Sequence, residues 1–211
     1  MTVTVTPVFL FNVEQAGLEK AELWDAITER QLADWEAEWL PELFKYIQQL
    51  HRAGVHRQFW PQSRQWNWRR KVEVLQGMLS HPAFSILCGG ITQGMMILDL
   101  TSKRCRLDGQ KGQHMVYVEF VENAPWNRPE LSNQPRYRGI GSILIRAAIA
   151  LSNQEEFKGR IGLHSLPQAN SFYANTCGMT DMGIDPEYEG LRYFEMTPEQ
   201  AEAFIAKGNQ P

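Results

Sequence analysis

The chain has 211 residues, of which 43% are hydrophobic and 21% charged, and its formal net charge is -3. This composition supplies a folded core, excludes a disordered chain, and offers no global field that would hold a polyanion. The three cysteines are widely spaced and form no CxxC pair, which argues against a zinc site or a disulfide framework and fits a reducing cytoplasm. No apolar run approaches the roughly 20 residues that a transmembrane helix needs, so neither secretion nor membrane insertion is expected.

The N-terminal region starts as a strand and continues as helices. Residues 2–11 alternate and are rich in Val and Thr, which predicts a first strand broken at Pro7. From Leu18 to His51 hydrophobic residues recur at steps of three and four, which predicts a core-facing helix stripe that Pro41 divides into two helices. The stripe consists of Leu23, Ile27, Leu32, Trp35, Trp39, Leu43, Ile47 and Leu50. Its tryptophans are interpreted as core residues.

A polar, aromatic stretch over residues 56–67 predicts a loop, and residues 69–79 predict a short helix. The best local basic patch lies here and consists of Arg64, Arg69, Arg70 and Lys71, interleaved with Trp66 and Trp68. Such aromatic residues can stack on bases, but beside arginines they more often cover the edge of a core. Nucleic acid is therefore disfavoured as a partner.

The rest of the chain alternates between strands and helices. Strands are predicted over residues 84–88, 94–100 and 115–121, consecutive and antiparallel, and again over 161–166 and 191–196. Residues 122–135 contain three prolines and cannot be regular structure. Helices are predicted over residues 142–152, over 169–177 with Gly178 closing the helix, and over 198–207 with Thr197 as its cap.

The turn Arg136-Tyr137-Arg138-Gly139-Ile140-Gly141 carries the strongest functional signal. If a helix begins directly after Gly141, the backbone N–H groups of residues 138–142 point outward at the positive end of its dipole and can bind phosphate oxygens. Gly139 and Gly141 would let the backbone approach a diphosphate, while Arg136 and Arg138 add positive charge. Taken alone, a Gly-x-Gly before a helix fits a tight loop and helix cap equally well.

Two nucleotide-binding folds that use such a turn are excluded by the residues that follow. A P-loop needs Lys followed by Ser or Thr, and the chain has Ser142-Ile143. A dinucleotide-binding fold needs a third glycine, where the chain has Leu144, and a parallel sheet rather than the antiparallel strands predicted here.

The turn resembles that of the GCN-five-related N-acetyltransferases (GNAT superfamily), which reads Arg/Gln-x-x-Gly-x-Gly/Ala. A second signature of that superfamily, Ala-x-x-Phe-Tyr followed after five residues by Gly-Phe/Met, resembles the downstream segment LHSLPQANSFYANTCGM. The matching residues are Arg136, Gly139 and Gly141 in the first motif, and Ala169, Phe172, Tyr173, Gly178 and Met179 in the second. The resemblance covers about residues 84–196, and the segments APWNR and GRIGLHSLPQA look similar to uncharacterised bacterial members.

The resemblance implies an α/β (α+β) fold with a mixed, mainly antiparallel central sheet, splayed between the fourth and fifth strands and flanked by helices. One domain over residues 1–211 is expected, with residues 1–82 as an N-terminal helical elaboration on the acceptor side, 83–197 as the cofactor-binding core, and 198–211 as a C-terminal helix and tail. Acetyl-CoA or another acyl-CoA would lie in the cleft, without a metal. The implied cofactor-binding residues are Val121, Arg136, Tyr137, Arg138, Gly139, Ile140, Gly141, Ser142, Asn170 and Tyr173.

The implied activity is transfer of an acetyl group to an amine of a small molecule or protein, by direct attack on the thioester. Tyr173 matches the family position whose phenol donates to the CoA sulfur. Glu119 and Glu122 are the candidate bases, but strand alternation points them to opposite faces. Runners-up are His164 and Ser165. The Cys177 thiol lacks an activating neighbour for a ping-pong mechanism.

Two other functions remain open at this point. One is a non-catalytic acyl-CoA-binding or protein-interaction module, and the other is a toxin-type transferase acting on aminoacyl-tRNA, which the net charge disfavours. A homodimer is also left open, and the acceptor amine is not indicated by any motif.

Overall fold

The computed structural model describes residues 2–75, 77–132 and 134–208. Both ends of the predicted single domain, at residue 1 and at residues 209–211, lie outside the described residues, as do single positions in the predicted helix 69–79 and loop 122–135. The chain divides into two compact units. The first contains the described residues of 1–78, 83–95 and 121–141, and the second those of 79–82, 96–120 and 142–211.

The described residues form nine strands and five α-helices. The strands are β1 (Val5–Asn12), β2 (Gly17–Trp24), β3 (Ala83–Cys88), β4 (Ile91–Asp99), β5 (Val116–Asn123), β6 (Tyr137–Arg138), β7 (Ile161–Ser165), β8 (Thr180–Asp185) and β9 (Leu191–Met196). The helices are α1 (Glu29–Asp34), α2 (Leu40–Arg52), α3 (Trp68–Leu75), α4 (Ile140–Gln154) and α5 (Pro198–Lys207). None of these helices is long and apolar enough to cross a membrane.

The strand order is β6-β1-β2-β3-β4-β5-β7-β9-β8, and the sheet is mixed. Pairing is mainly antiparallel, whereas β5 and β7 run parallel. The predicted fold class is therefore confirmed. The strands predicted as fourth and fifth are β5 and β7, since β2 and β6 were not predicted.

In the first unit, the prediction of a helix from Leu18 is wrong at its start. Residues 17–24 form β2, which pairs antiparallel with β1 and β3. Leu18 is 73% exposed and Ala21 is buried, as expected of a strand with one solvated face. Pro7 does not break β1: it lies opposite Glu22, on a stretch of β1 that β6 does not pair with, so its missing N–H is tolerated.

The helical stripe that follows is confirmed from Leu32 onward. A capping box at Thr28 starts α1, and a π-helical segment, Trp35–Trp39, joins it to α2, which has Pro41 in its first turn. Trp35 and Trp39 are buried, and the Trp39 indole N–H donates to the Thr92 carbonyl at 2.9 Å. The tryptophans are thus core residues of this unit, as predicted.

In the second unit, β7 pairs with β9 and β9 with β8, both antiparallel. Helix α5 begins behind a capping box at Thr197, as predicted. The predicted short helix over residues 169–177 consists of a 3₁₀ turn, Pro167–Ala169, and a π-helical turn, Phe172–Thr176. It ends at Gly178, whose φ of +69° closes it as expected.

Candidate functional site

The backbone around Gly139 has the features of an anion site. Helix α4 begins at Ile140, two residues before the predicted start, so the N–H groups of Ile140, Gly141 and Ser142 have no acceptor within the helix. Gly139 has a φ of +97°, which residues with a side chain rarely adopt. A Cβ at Gly139 would meet Leu10 at 4.0 Å and no closer described atom. The turn therefore offers bare backbone at the positive end of a 15-residue helix.

The two arginines of the turn differ in their surroundings. Arg138 belongs to β6 and pairs antiparallel with Phe11, so its backbone belongs to the sheet, and the row of free N–H groups does not begin there. The Arg136 guanidinium lies 4.7 Å from the centroid of the Trp126 ring and lines a cavity of about 330 Å³ beside α2. A contact of Arg136 with a diphosphate stays a prediction.

Tyr137 and Ile140 contribute to the turn through their backbone positions. The Tyr137 N–H donates to Asn127 Oδ1 at 2.9 Å, and its hydroxyl contacts both Glu19 carboxylate oxygens at 3.2 Å. The Ile140 side chain is buried, so only its backbone can face a ligand. Gly141 and Ser142 are half-buried in the first turn of α4.

A fork in the second unit is formed where β5 and β7 separate. The two strands pair over three residues, with Val118 opposite Leu163 as the last pair in the register. Beyond it, β5 continues through Glu119 and β7 through His164 and Ser165, without further register between these strands among the described residues. Separation exposes strand backbone that a ligand can pair with, so the fork is the predicted splay. Val121 lies farther along β5, half-buried, in the first unit.

Tyr173 and Asn170 follow β7 in the chain. Tyr173 is 6% exposed and packs against Phe172 and Phe194, with ring centroids 5.2 and 5.9 Å away. Among the described residues, none hydrogen-bonds to its hydroxyl, and burial, with the Cys177 thiol nearby, raises its pKa. The buried Oδ1 atom of Asn170 likewise has no hydrogen-bond partner among the described residues. Neither group is thus used in a hydrogen bond to a described residue.

The two candidate bases differ in environment. In the second unit, the Glu119 side chain is 31% exposed, and its Oε2 lies 3.7 Å from His81 Nε2. In the first unit, Glu122 is buried and accepts from Arg128 at 2.9 Å and from the Trp68 indole at 2.7 Å. Burial raises the pKa of Glu122, and Arg128 and Trp68 oppose that rise. The Glu119 carboxylate is thus partly exposed to solvent, whereas the contacts of Glu122 are those of a core ion pair.

His164 lies in a hydrogen-bonded chain that the sequence did not indicate. Its Nδ1 is 2.7 Å from the Tyr117 hydroxyl and its Nε2 is 3.0 Å from Asp185 Oδ2. Asp185 Oδ2 also accepts from Arg106 at 2.5 Å. Arg106 and His164 lower the pKa of Asp185 to about 2. Tyr117 and Asp185 lie 47 and 21 residues from His164, too far apart for a local motif to join them.

The other residues considered from the sequence are occupied by ion pairs or hydrogen bonds, or are buried. Arg69, the centre of the basic patch, donates to both Glu29 and Glu36 at 2.6–2.9 Å, which neutralises it. The Ser165 hydroxyl donates to the Leu166 carbonyl, and burial raises the pKa of the Cys177 thiol to about 12. A thiol with that pKa is a poor nucleophile near neutrality. Within the described ranges, no group of three His, Cys, Asp or Glu could hold a metal ion.

No protein-family model matches the chain, and no curated protein sequence matches it either. Solved structures do resemble it over almost their whole length. An uncharacterized protein from Bacillus halodurans has a TM-score of 0.55 at 8% identity, with 96% of this chain and 95% of that chain covered. FeeM, an N-acyl amino acid synthase from uncultured soil microbes, has a TM-score of 0.54 at 9% identity, with 90% and 99% covered.

A third similar structure is a putative arylalkylamine N-acetyltransferase 7 from the yellow fever mosquito. Its TM-score is 0.52 at 12% identity, with 93% of this chain and 95% of that chain covered. At these identities the likeness concerns the fold alone. The chain has a GNAT-like fold, as its two motifs predicted.

Proposed function

We propose that this protein is an N-acyltransferase that moves an acetyl group from acetyl-CoA to an amine of a small molecule or a protein. The observation that carries the proposal is the fork, where β5 and β7 run parallel for three paired residues and then separate. Two similar structures described as an acetyltransferase and an acyl amino acid synthase support acyl transfer as the reaction class. Their descriptions name different acceptors, so the acceptor of this chain is found by experiment.

Acyl-CoA fits two features of the chain. The buried, unpartnered Oδ1 of Asn170 can accept a hydrogen bond from an amide N–H, a group that the pantetheine arm carries. At Gly139 the backbone reaches the surface without a side chain, beside the free N–H groups of α4, which suits a diphosphate. The bound thioester supplies an activated acetyl group.

Each catalytic role has a residue with suitable chemistry. The Tyr173 hydroxyl has no described partner, and its raised pKa keeps it protonated at neutral pH, so it can donate a proton to the departing thiolate. Glu119 is a partly exposed carboxylate on β5 that attracts a cationic amine to the fork. Glu122 is poorly suited to act as a base, because it would have to give up its ion pair with Arg128.

The test is release of CoA thiol from acetyl-CoA in the presence of a polyamine, an arylalkylamine, an amino acid and a lysine-containing peptide. Thiol release that depends on both the enzyme and one of these amines supports the proposal. Acetyl-CoA binding without release for any of the amines would favour the non-catalytic acyl-CoA-binding module instead. The acetylated product, identified by mass spectrometry, then defines the acceptor class.

A further inference from the structure

Tyr117, His164 and Asp185 form a continuous chain of hydrogen bonds. Because the pKa of Asp185 is lowered to about 2, its carboxylate is ionised near neutrality and accepts a hydrogen bond from His164 Nε2. That bond fixes the imidazole tautomer with its proton on Nε2. The remaining nitrogen, Nδ1, is then an acceptor for the Tyr117 hydroxyl, 2.7 Å away. This is the order hydroxyl, imidazole, carboxylate that activates hydroxyl groups in hydrolases.

The imidazole is held rigidly on all sides. It stacks on the Tyr188 ring at 3.8 Å with an interplanar angle of 10° and lies 4.9 Å from the Tyr193 ring. Its side chain is 3% exposed. The charged groups nearby are Asp185 on β8, and Arg106 and Lys103 on the segment that precedes β5. The titratable groups that face it are the hydroxyls of Tyr117, Tyr188 and Tyr193.

The Tyr117–His164 hydrogen bond links β5 to β7 at the start of the fork. Tyr117 comes one residue before the last paired residue of β5, and His164 comes one residue after that of β7. Strand alternation places Tyr117 and Glu119 on one face of β5. On β9, Tyr193 lies opposite His164, while Phe194, the neighbour of Tyr173, faces the other side. The predicted acid and the Tyr117–His164 pair therefore lie on opposite faces of the same strands.

We propose that Tyr117 is the residue that takes the proton from the attacking amine, and that His164 and Asp185 accept that proton through it. The inference rests on the proposed N-acyltransferase function and names its base. Glu119, on the same face of β5, then serves to bind the amine.

Two protons move in the proposed step, one away from the amine and one onto the leaving thiolate. As the amine nitrogen bonds to the acyl carbon, its N–H breaks and the proton passes to Tyr117 Oη, while the phenolic proton passes to His164 Nδ1. The phenol is regenerated and the imidazole becomes an imidazolium, which the Asp185 carboxylate stabilises. On the other face, Tyr173 gives one proton to the leaving thiolate. One proton leaves the amine and one reaches the thiol, and exchange with solvent resets both groups.

The environment of His164 supports this direction of transfer. Burial lowers its pKa, against the effect of Asp185, so the imidazole is neutral and ready to accept at neutral pH. Burial raises the pKa of Tyr117, so the phenol does not act as a phenolate and needs His164 as the final acceptor. Arg106 and Lys103 disfavour the imidazolium, which promotes the return of the proton to solvent.

The test compares Tyr117→Phe, His164→Gln and Glu119→Gln by the pH dependence of kcat/KM, using acetyl-CoA and the best amine of the panel. A glutamine at position 164 can still donate to Asp185 but cannot take up a proton. His114→Asn, at an exposed histidine of the same unit, is the matched control. The ionisation of the amine itself is common to all variants.

We expect Tyr117→Phe and His164→Gln each to lower kcat/KM about 100-fold and to remove the contribution of His164 from the acidic limb of the profile, so that only the ionisation of the amine remains there. The double variant Tyr117→Phe/His164→Gln should be no slower than either single variant, because Tyr117 and His164 act as a unit. Glu119→Gln should raise the KM for the amine and leave the acidic limb of the kcat/KM profile in place. Nitrogen NMR of the free wild-type protein should show the Nε2–H tautomer of His164 at neutral pH.

Three results distinguish failure of the relay from failure of the proposed function. Wild-type turnover together with an unchanged acidic limb in His164→Gln would overturn the relay and leave the proposed function standing. A wild-type protein that turns over no amine would overturn the proposed function, and the relay with it. An Nδ1–H tautomer or an imidazolium at neutral pH would overturn the relay without reference to any acceptor.

Discussion

Glu122 and Arg128 form a buried ion pair in the first unit, with 2.9 Å between Glu122 Oε1 and Arg128 Nη1 and side chains that are 8% and 7% exposed. Arg128 Nη1 also donates to the Ser63 hydroxyl at 2.9 Å, and Trp68 donates to the second oxygen of Glu122. Charges taken out of water this far are tolerated only when each keeps its partner. The pair therefore holds the loop after β5 to the segment before α3.

Replacing Arg128 by Met should destabilise the protein by about 3–5 kcal/mol at neutral pH, because Glu122 is left as an unpaired buried carboxylate. Burial already raises the pKa of Glu122, and without Arg128 that rise is larger. A group with a raised folded-state pKa gains stability when protonated, so the deficit of Arg128→Met should shrink as the pH falls through it. Urea unfolding at several pH values measures this change. Adding Glu122→Gln to Arg128→Met should restore part of the loss at neutral pH, and failure to restore any would contradict the ion-pair account.

Much of the fold could be predicted because the patterns are local. The Trp35 and Trp39 stripe, the capping box before α5 and the strand at residues 84–88 all rest on neighbouring residues. Residues 17–24 were misread because Leu23 happens to continue the helical spacing, while the pairing of β2 with β1 and β3 decides its conformation. The two-residue β6 is too short to give any periodicity.

Gly139→Ala should weaken acetyl-CoA binding about tenfold or more, which corresponds to about 1.4 kcal/mol, because a Cβ keeps the diphosphate from the backbone. The φ of +97° also strains the variant by about 1–2 kcal/mol. Gly109→Ala is the matched control, since Gly109 has a φ of +90° and no described atom within 4 Å of its Cβ position. Calorimetric titration and thermal unfolding of both variants separate strain from binding. Equal acetyl-CoA affinity in Gly139→Ala and Gly109→Ala would show that the turn does not bind acetyl-CoA.

Tyr173→Phe should lower kcat about 100-fold and leave the affinity for acetyl-CoA unchanged, because only the phenolic proton is lost. Steady-state rates of thiol release and a binding titration provide the two numbers. Tyr46→Phe is the control, since it removes a hydroxyl that donates to the Glu130 carbonyl in the first unit. If Tyr173→Phe turned over as fast as the wild type, Tyr173 would be a packing residue.

Asp185→Asn should lower the free energy of unfolding near neutral pH, and this loss should become smaller as the pH falls. The pKa of Asp185 is depressed to about 2 by Arg106 and His164, so its contribution is present above the ordinary value of about 3.9 and is lost as the pH falls toward 2. Chemical unfolding across this window measures the difference from the wild type. Asp181→Asn, on the same strand as Asp185, breaks an exposed pair with Arg192 of β9 and serves for comparison. A deficit of Asp185→Asn that stayed constant down to pH 2 would contradict this linkage.

Residues of the candidate site could be predicted from the sequence only where they lie together in one contiguous motif. Gly139, Gly141 and Tyr173 lie in motifs that can be recognised in order along the chain. The Tyr117–His164–Asp185 chain depends on the register of β5 with β7 and on the turn that brings β8 alongside β9, so no spacing reveals it. Arg136 was assigned to the turn because its charge suits a phosphate, but the cation–π contact with Trp126 depends on the path of the loop between them.

Calorimetric titration of the wild-type protein with acetyl-CoA, with desulfo-CoA and ATP as controls, tests directly whether this protein binds acyl-CoA. We expect micromolar binding of acetyl-CoA and desulfo-CoA and no comparable binding of ATP, because the Asn170 side-chain oxygen can accept a hydrogen bond from the pantetheine arm, which ATP lacks. The absence of binding by either CoA form, or equal binding of ATP, would contradict it.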